Sequence, residues 1–130
     1  MKFTIAVFGA PHAPGTRRAL RFAQAALAGG HEIVRVFLYR EAVQTGSANL
    51  VSPQDEPDMA RAWQSFVADN QIDAVVCIAA ALRRGVLDTG EAQRYQRPAA
   101  NLAAGWALSG LGQLHEAAQQ CDRLVCFGDQ

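Results

Sequence analysis

The sequence predicts an α/β fold: a three-layer sandwich with a mainly parallel central sheet of four to five strands and helices on both faces. Three observations predict it. Apolar runs rich in β-formers recur at Phe3 to Phe8, Glu32 to Tyr39, Asp73 to Cys77 and Arg123 to Phe127, as in strands covered on both faces. Segments with apolar residues at helical spacing separate them. Strands that alternate with helices are joined by right-handed crossovers and run parallel. The 130 residues, half of them hydrophobic, suit one domain over 1–130 with a single core.

In order, Phe3 to Phe8 is the first strand, closed by Gly9. The loop GAPHAPGT is full of turn residues, and Thr16 is a candidate cap for a helix from Arg17 to Ala28. Leu20, Ala23 and Leu27 form that helix's stripe, and Gly29-Gly30 ends it. Glu32 to Tyr39 is the second strand. Arg40 to Ser52 is mixed and polar, which predicts a long loop. Ser52-Pro53 is a candidate helix start, with Met59, Trp63, Phe66 and Val67 on one face and an end near Asn70. Asp73 to Cys77 is the third strand, followed by a helix-forming run from Ala79 to Arg84 that stops at Gly85. Asp88 and Glu91 have capping-box spacing for a short helix that Pro98 must end. Ser109 is a candidate cap for a last helix carrying Leu111, Leu114, Ala117 and Ala118. Arg123 to Phe127 is the final clear strand; a fifth is expected in one of the irregular stretches.

Composition excludes some functions. The 12 basic and 12 acidic residues cancel, unlike the basic surface of a domain that binds nucleic acid by bulk charge. Eleven basic residues are Arg and one, Lys2, is Lys. Cys77, Cys121 and Cys126 are odd in number and lack disulfide or C-x-x-C spacing, so free thiols in a reducing compartment are expected. No paired Cys/His spacing points to zinc, and the loop GAPHAPGT lacks the glycine pattern and Lys of a phosphate cradle. MKFTIAVFGA is too short for a signal peptide and better explained as a buried strand. The apolar run from Ala74 to Leu82 falls far below the ~20 residues that span a bilayer. A cytoplasmic protein without membrane or direct nucleic-acid contact, cofactor or metal is expected.

Cys77 is the candidate working atom. At the carboxyl end of a strand it can open toward solvent, and the N–H groups of the next turn favour a thiolate. Arg84 is seven residues on, roughly 10 Å along a helix axis, and helical side chains lean back toward the N-terminus. Arg83 is the second candidate cation. The competing reading is that Cys77 is one more small apolar residue in a buried strand. Cys126 fits the apolar pattern of the last strand, and Cys121 precedes it. His12 falls at the same sheet end as Cys77. Arg17, Arg18 and Arg21 read as a solvated face, Trp63 as core, and Tyr95 and Trp106 as interface anchors.

GHEIVRVFLYREAV (Gly30 to Val43), VVCIAAALRRGV (Val75 to Val86) and NLAAGWALSGLGQLHEAAQQCDRLV (Asn101 to Val125) together resemble the DsrE/TusD family of sulfur-relay proteins, over nearly the whole chain. The resemblance implies a sulfurtransferase with Cys77 as the persulfide carrier. It also implies assembly with two related subunits, TusB-like and TusC-like, in a heterohexamer. Sulfur would arrive from a TusA-like carrier and leave to a TusE-like one, for 2-thiouridine formation in tRNA. Related DsrE proteins serve sulfur oxidation, and the ending DRLVCFGDQ looks as much like that branch. A non-catalytic adapter subunit of the same complex is the remaining alternative. The first loop, with His12 and two prolines, departs from the family wording.

Overall fold

In the computed structural model, which describes residues 1–130, five strands form one all-parallel sheet: β1 (Lys2–Val7), β2 (Glu32–Leu38), β3 (Ala74–Cys77), β4 (Ala107–Ser109) and β5 (Arg123–Phe127), in the order β4-β3-β2-β1-β5. The helices are α1 (Pro14–Ala28), α2 (Met59–Asp69), α3 (Ile78–Arg83), α4 (Thr89–Arg94) and α5 (Gly112–Gln120), with a 3-10 segment at Arg40–Gly46.

Side chains on a strand alternate between faces, and β1 shows what covers each. Phe3 meets Phe22 of α1 edge-on, ring centroids 5.2 Å apart. Its neighbour Thr4 donates from Oγ1 to the Ala117 carbonyl of α5 at 3.0 Å. So α1 covers one face and α5 the other, which is the expected three-layer arrangement. Trp63 of α2 is fully buried and donates from Nε1 to the Thr16 carbonyl at 3.4 Å, which seats α2 beside α1. On the α5 side, Arg35 donates from Nε and Nη2 to Asp73 Oδ2 at 3.0 and 2.7 Å, and from Nη1 to the Gln113 carbonyl at 2.8 Å. A charge this buried is stabilised only when paired and hydrogen-bonded, and here the pairing fastens β2, β3 and α5 together.

The four strong strands stand where the apolar runs predicted. Elsewhere the structure corrects the sequence reading. The fifth strand is Ala107–Ser109, so Ser109 pairs with Cys77 instead of capping a helix, and α5 starts at Gly112 with no side-chain cap. Thr16 lies inside α1 and donates to the Gly9 and Ala10 carbonyls at 3.1 and 2.7 Å, tying the loop after β1 to the helix. Pro14 opens α1, as a residue without an N–H can. The first part of Arg40 to Ser52 winds into the 3-10 segment. Asp58, not Ser52, caps α2, accepting from the Arg61 N–H at 3.1 Å. Asp88 caps α4 as its spacing predicted, accepting from the Glu91 N–H at 2.8 Å. Trp106, read as an interface anchor, is 6% exposed and part of the core, while Tyr95 is 44% exposed. Cys126, read as core, is exposed, because β5 is an edge strand and α5 lies over β1 and β2.

Candidate functional site

Cys77 is the last residue of β3 and the residue at which α3 begins, with φ −59° and ψ 118°. β2 and β4 flank β3, so the end of this strand is central to the sheet's left half. Two small residues of α3, Ala80 and Ala81, turn inward and are buried. The 3-10 segment packs across both β3 and α3. Its approach depends on Gly46: a Cβ there would stand 3.2 Å from Val76 Cγ2. The result departs from the expectation of an open thiol. Cys77 is 2% exposed, because the turn after the strand folds back under the 3-10 segment instead of splaying toward solvent.

Of the two candidate cations, the structure brings Arg84 to this strand end. Its guanidinium leans back along α3, as helical side-chain direction predicted, and Nη1 donates to the Ala80 carbonyl at 3.1 Å. Nη2 donates to Glu41 Oε1 of the 3-10 segment at 2.7 Å. That hydrogen bond is the main reason the Arg84 cation is favoured beyond its ordinary range. Desolvation opposes it, and the Glu41 charge and the ionised forms of Tyr39 and Cys77 add smaller favourable contributions. The same hydrogen bond holds the Glu41 carboxyl below the usual carboxylate range, partly offset by desolvation. Arg83 is exposed and lines a different feature, an open groove of about 510 Å³ with Leu87, Tyr95 and Pro98, in which Cys77 takes no part.

Glu41 is the member of this cluster that sequence reasoning missed. It is 43 residues from Arg84, in a stretch without helical or strand periodicity, and no local pattern marks the pair. Only the sign of its charge, opposite to Arg84, hinted at it.

The other sequence candidates are dispersed. Cys121 precedes β5 at the opposite end of the sheet, with Sγ donating to the Ala118 carbonyl at 3.4 Å. Cys126 lies on β5, three strands from β3, roughly 14 Å away at the usual strand spacing, too far for a disulfide. Burial pushes its thiol up. His12 is exposed and lines a cavity of about 290 Å³ with Arg17, Glu56 and Met59, away from Cys77. No three His, Cys, Asp or Glu side chains converge as a metal site would require. No helix is long and apolar enough to cross a membrane.

Residues 1–127 match the DsrE/DsrF-like family. The chain is 68% identical over 128 residues to the sulfurtransferase TusD homolog of Pseudomonas aeruginosa, covering 98% of both chains. It is 47% identical to the sulfurtransferase TusD of Cronobacter sakazakii, covering 98% of this chain and all of that one. It is 44% identical to a DsrE protein of Allochromatium vinosum, covering 99% of this chain and all of that one. Among solved structures, the ychN protein of E. coli superposes with a TM-score of 0.77 at 21% identity, covering 98% of this chain and 99% of that one. At that identity the likeness concerns the fold alone.

Proposed function

This chain belongs to the DsrE/DsrF-like family and is a sulfurtransferase, and from that premise we propose that it is a single-domain carrier subunit that holds sulfane sulfur as a persulfide on Cys77. The observation that carries the proposal is a cysteine at the carboxyl end of a central strand, followed by a helix whose Arg84 leans back one turn to the Ala80 carbonyl, so that an ionised Cys77 is among the charges that favour its guanidinium. The Cys77 thiolate attacks the outer sulfur of a donor protein's persulfide. A new S–S bond forms at Cys77, the donor's S–S bond breaks, and the donor leaves as a thiolate. The step is a displacement with no net oxidation. The reverse displacement, by an acceptor thiolate, returns Cys77 to its thiolate. Arg84 stabilises the sulfur anion in both states.

A donor thiol cannot reach a sulfur that is 2% exposed. The carrier reading therefore requires α3 and the 3-10 segment to part during transfer, within a complex of TusB-like and TusC-like subunits. The sulfur comes from a TusA-like carrier and goes to a TusE-like one, in the cytoplasm, on the way to 2-thiouridine in tRNA. The 44% identity to a DsrE relative, close to the 47% shared with one TusD though below the 68% shared with a TusD homolog, supports a second reading, the same chemistry serving sulfur oxidation. The buried thiol supports a third, an adapter subunit with an inert Cys77.

Intact-mass spectrometry tests these readings. The assembled complex is incubated with a cysteine desulfurase and a loaded TusA-like carrier. Addition of one sulfur at Cys77 is expected. No adduct while the upstream carrier loads normally would leave the adapter reading standing. Loss of 2-thiouridine from tRNA in cells carrying Cys77→Ser separates thiolation from sulfur oxidation.

A further inference from the structure

Arg84 serves more than one anion. Nη2 is held by Glu41 Oε1 at 2.7 Å and Nη1 donates to the Ala80 carbonyl at 3.1 Å, while an ionised Cys77 adds a small contribution that favours the guanidinium charge, well behind that of Glu41. A carboxylate bound to a guanidinium cancels part of the field that the guanidinium presents to a third group. Arg84 is the more shielded partner, with side-chain exposures of 23% for Arg84 and 50% for the exposed Glu41, so solvent weakens the cancellation.

Few other charges act here. The titratable or charged side chains on the elements packed around Cys77 are Tyr39 at the exit of β2, Arg40 and Glu41 on the 3-10 segment, and Arg83 and Arg84 at the end of α3; β4 carries none, and Glu32 and Arg35 of β2, the latter paired with Asp73, lie toward the far end of β3. Arg40 stands 6.0 Å from the Tyr39 ring centroid, and Arg83 faces the separate groove.

Resting on the persulfide reading above, we infer that Glu41 is a positioning residue for the sulfur chemistry: it anchors Arg84 beside Cys77 and competes with the sulfur anion for the guanidinium. While the carboxylate is bound, part of the cation's charge is withheld from the thiol. When the sulfur ionises or carries a persulfide anion, the guanidinium is shared between the two. The same ion pair spans α3 and the 3-10 segment, the two elements that cover Cys77, so weakening it loosens the cover as well as freeing the cation.

A double-mutant cycle on the full-length chain tests this. Wild type, Glu41→Gln, Arg84→Ala and the double variant are labelled with iodoacetamide across a pH series. Labelling is read in the Cys77-containing peptide by mass spectrometry, so that Cys121 and Cys126 do not contribute. Gln retains an acceptor oxygen for Arg84 but no charge. Glu41→Gln is expected to move the half-labelling pH down by about half a unit and to speed labelling about threefold below it. Arg84→Ala moves the profile the other way, and the double variant matches Arg84→Ala. A purely structural ion pair changes thermal stability, and loosening of the cover alone scales the labelling rate by one factor at every pH; neither moves the half-labelling pH.

An unmoved or upward-shifted Glu41→Gln profile overturns the inference. So does a Glu41→Gln effect that persists undiminished without Arg84. Normal sulfur loading alongside an unmoved profile removes Glu41's role and leaves the persulfide reading standing. A Cys77 that stays unlabelled in all four proteins at every pH, in the assembled complex as well as in the isolated chain, overturns both.

Discussion

β2, β3 and β4 lie on one side of β1, and β5 lies on the other. In open α/β sheets, ligands bind in the crevice at such a reversal, beyond the carboxyl ends of the strands. Here that crevice is closed by the residues after β5. The Phe8 N–H donates to the Phe127 carbonyl at 2.8 Å. A Cβ at Gly9 would stand 2.6 Å from the Gly128 carbonyl oxygen, and one at Gly15 would collide with the same atom. Two strands away on the same sheet edge, β3 ends in Cys77 with Arg84 folded back over the turn. The contrast teaches that strand topology nominates an edge of the sheet but does not choose the site along it. A crevice packed with its own backbone offers no room, whereas the proposed site at the end of β3 would need no preformed pocket.

The largest effect that would break this comparison is Cys77→Ser. It is expected to reduce sulfur loading of the complex to background, while Cys126→Ser and Cys121→Ser retain nearly all of it, as measured by intact mass. Substantial loading of Cys77→Ser would move the chemistry away from β3. The converse perturbation is Gly15→Ala. Its Cβ collides with backbone, which cannot swing aside as a side chain can, and overpacking of this kind costs about 2 kcal/mol. Thermal unfolding should show that loss, and the folded protein should still load Cys77 at the normal rate. A loss of loading without a loss of stability would give the β1–β5 crevice a direct part in transfer.

Arg84→Ala should slow loading about tenfold, the effect of removing one nearby cation from a thiolate. Arg83→Ala should stay within about twofold, since its side chain faces the other groove. Equal effects from the two would mean that bulk positive charge suffices. Smaller still is the acid response of the clasp. The Glu41 carboxyl is held below its ordinary range by Arg84. A depressed carboxylate stabilises the folded state at pH above its unfolded value, and that contribution fades as pH falls through the folded value. The clasp therefore holds at neutral pH and opens in acid, and Glu41 carboxyl chemical shifts should titrate upward to the ordinary range in Arg84→Ala.

The site was partly legible in the sequence. Cys77 stood out because it ends a strong apolar run and precedes a helix-forming one, and Arg84 because seven residues return to nearly the same helical face. Neither signal is long-range. The partner of Arg84, Glu41, lies on an element whose hydrogen bonds close over three residues and leave no apolar period. The 3-10 segment comes close to Val76, the residue before Cys77, at Gly46, where a Cβ would stand 3.2 Å from Val76 Cγ2, and no local pattern marks that approach. The fate of Cys126 depended on which strand stands at the sheet edge, a property of strand order and not of the residues around it.

By itself the sequence determined the fold class, the four longer strands and the helices that separate them, because strand and helix periods are written in the spacing of apolar residues a few positions apart. It also carried the cysteine and arginine of the candidate site, which share one short stretch. The tertiary structure alone decided the three-residue β4, which is a strand only because β3 offers it a ladder. It alone closed the β1–β5 crevice, buried Cys77 and paired Glu41 with Arg84. Each of those outcomes joins residues far apart in the chain, and such contacts are selected by how the packed layers meet, which local propensity does not encode.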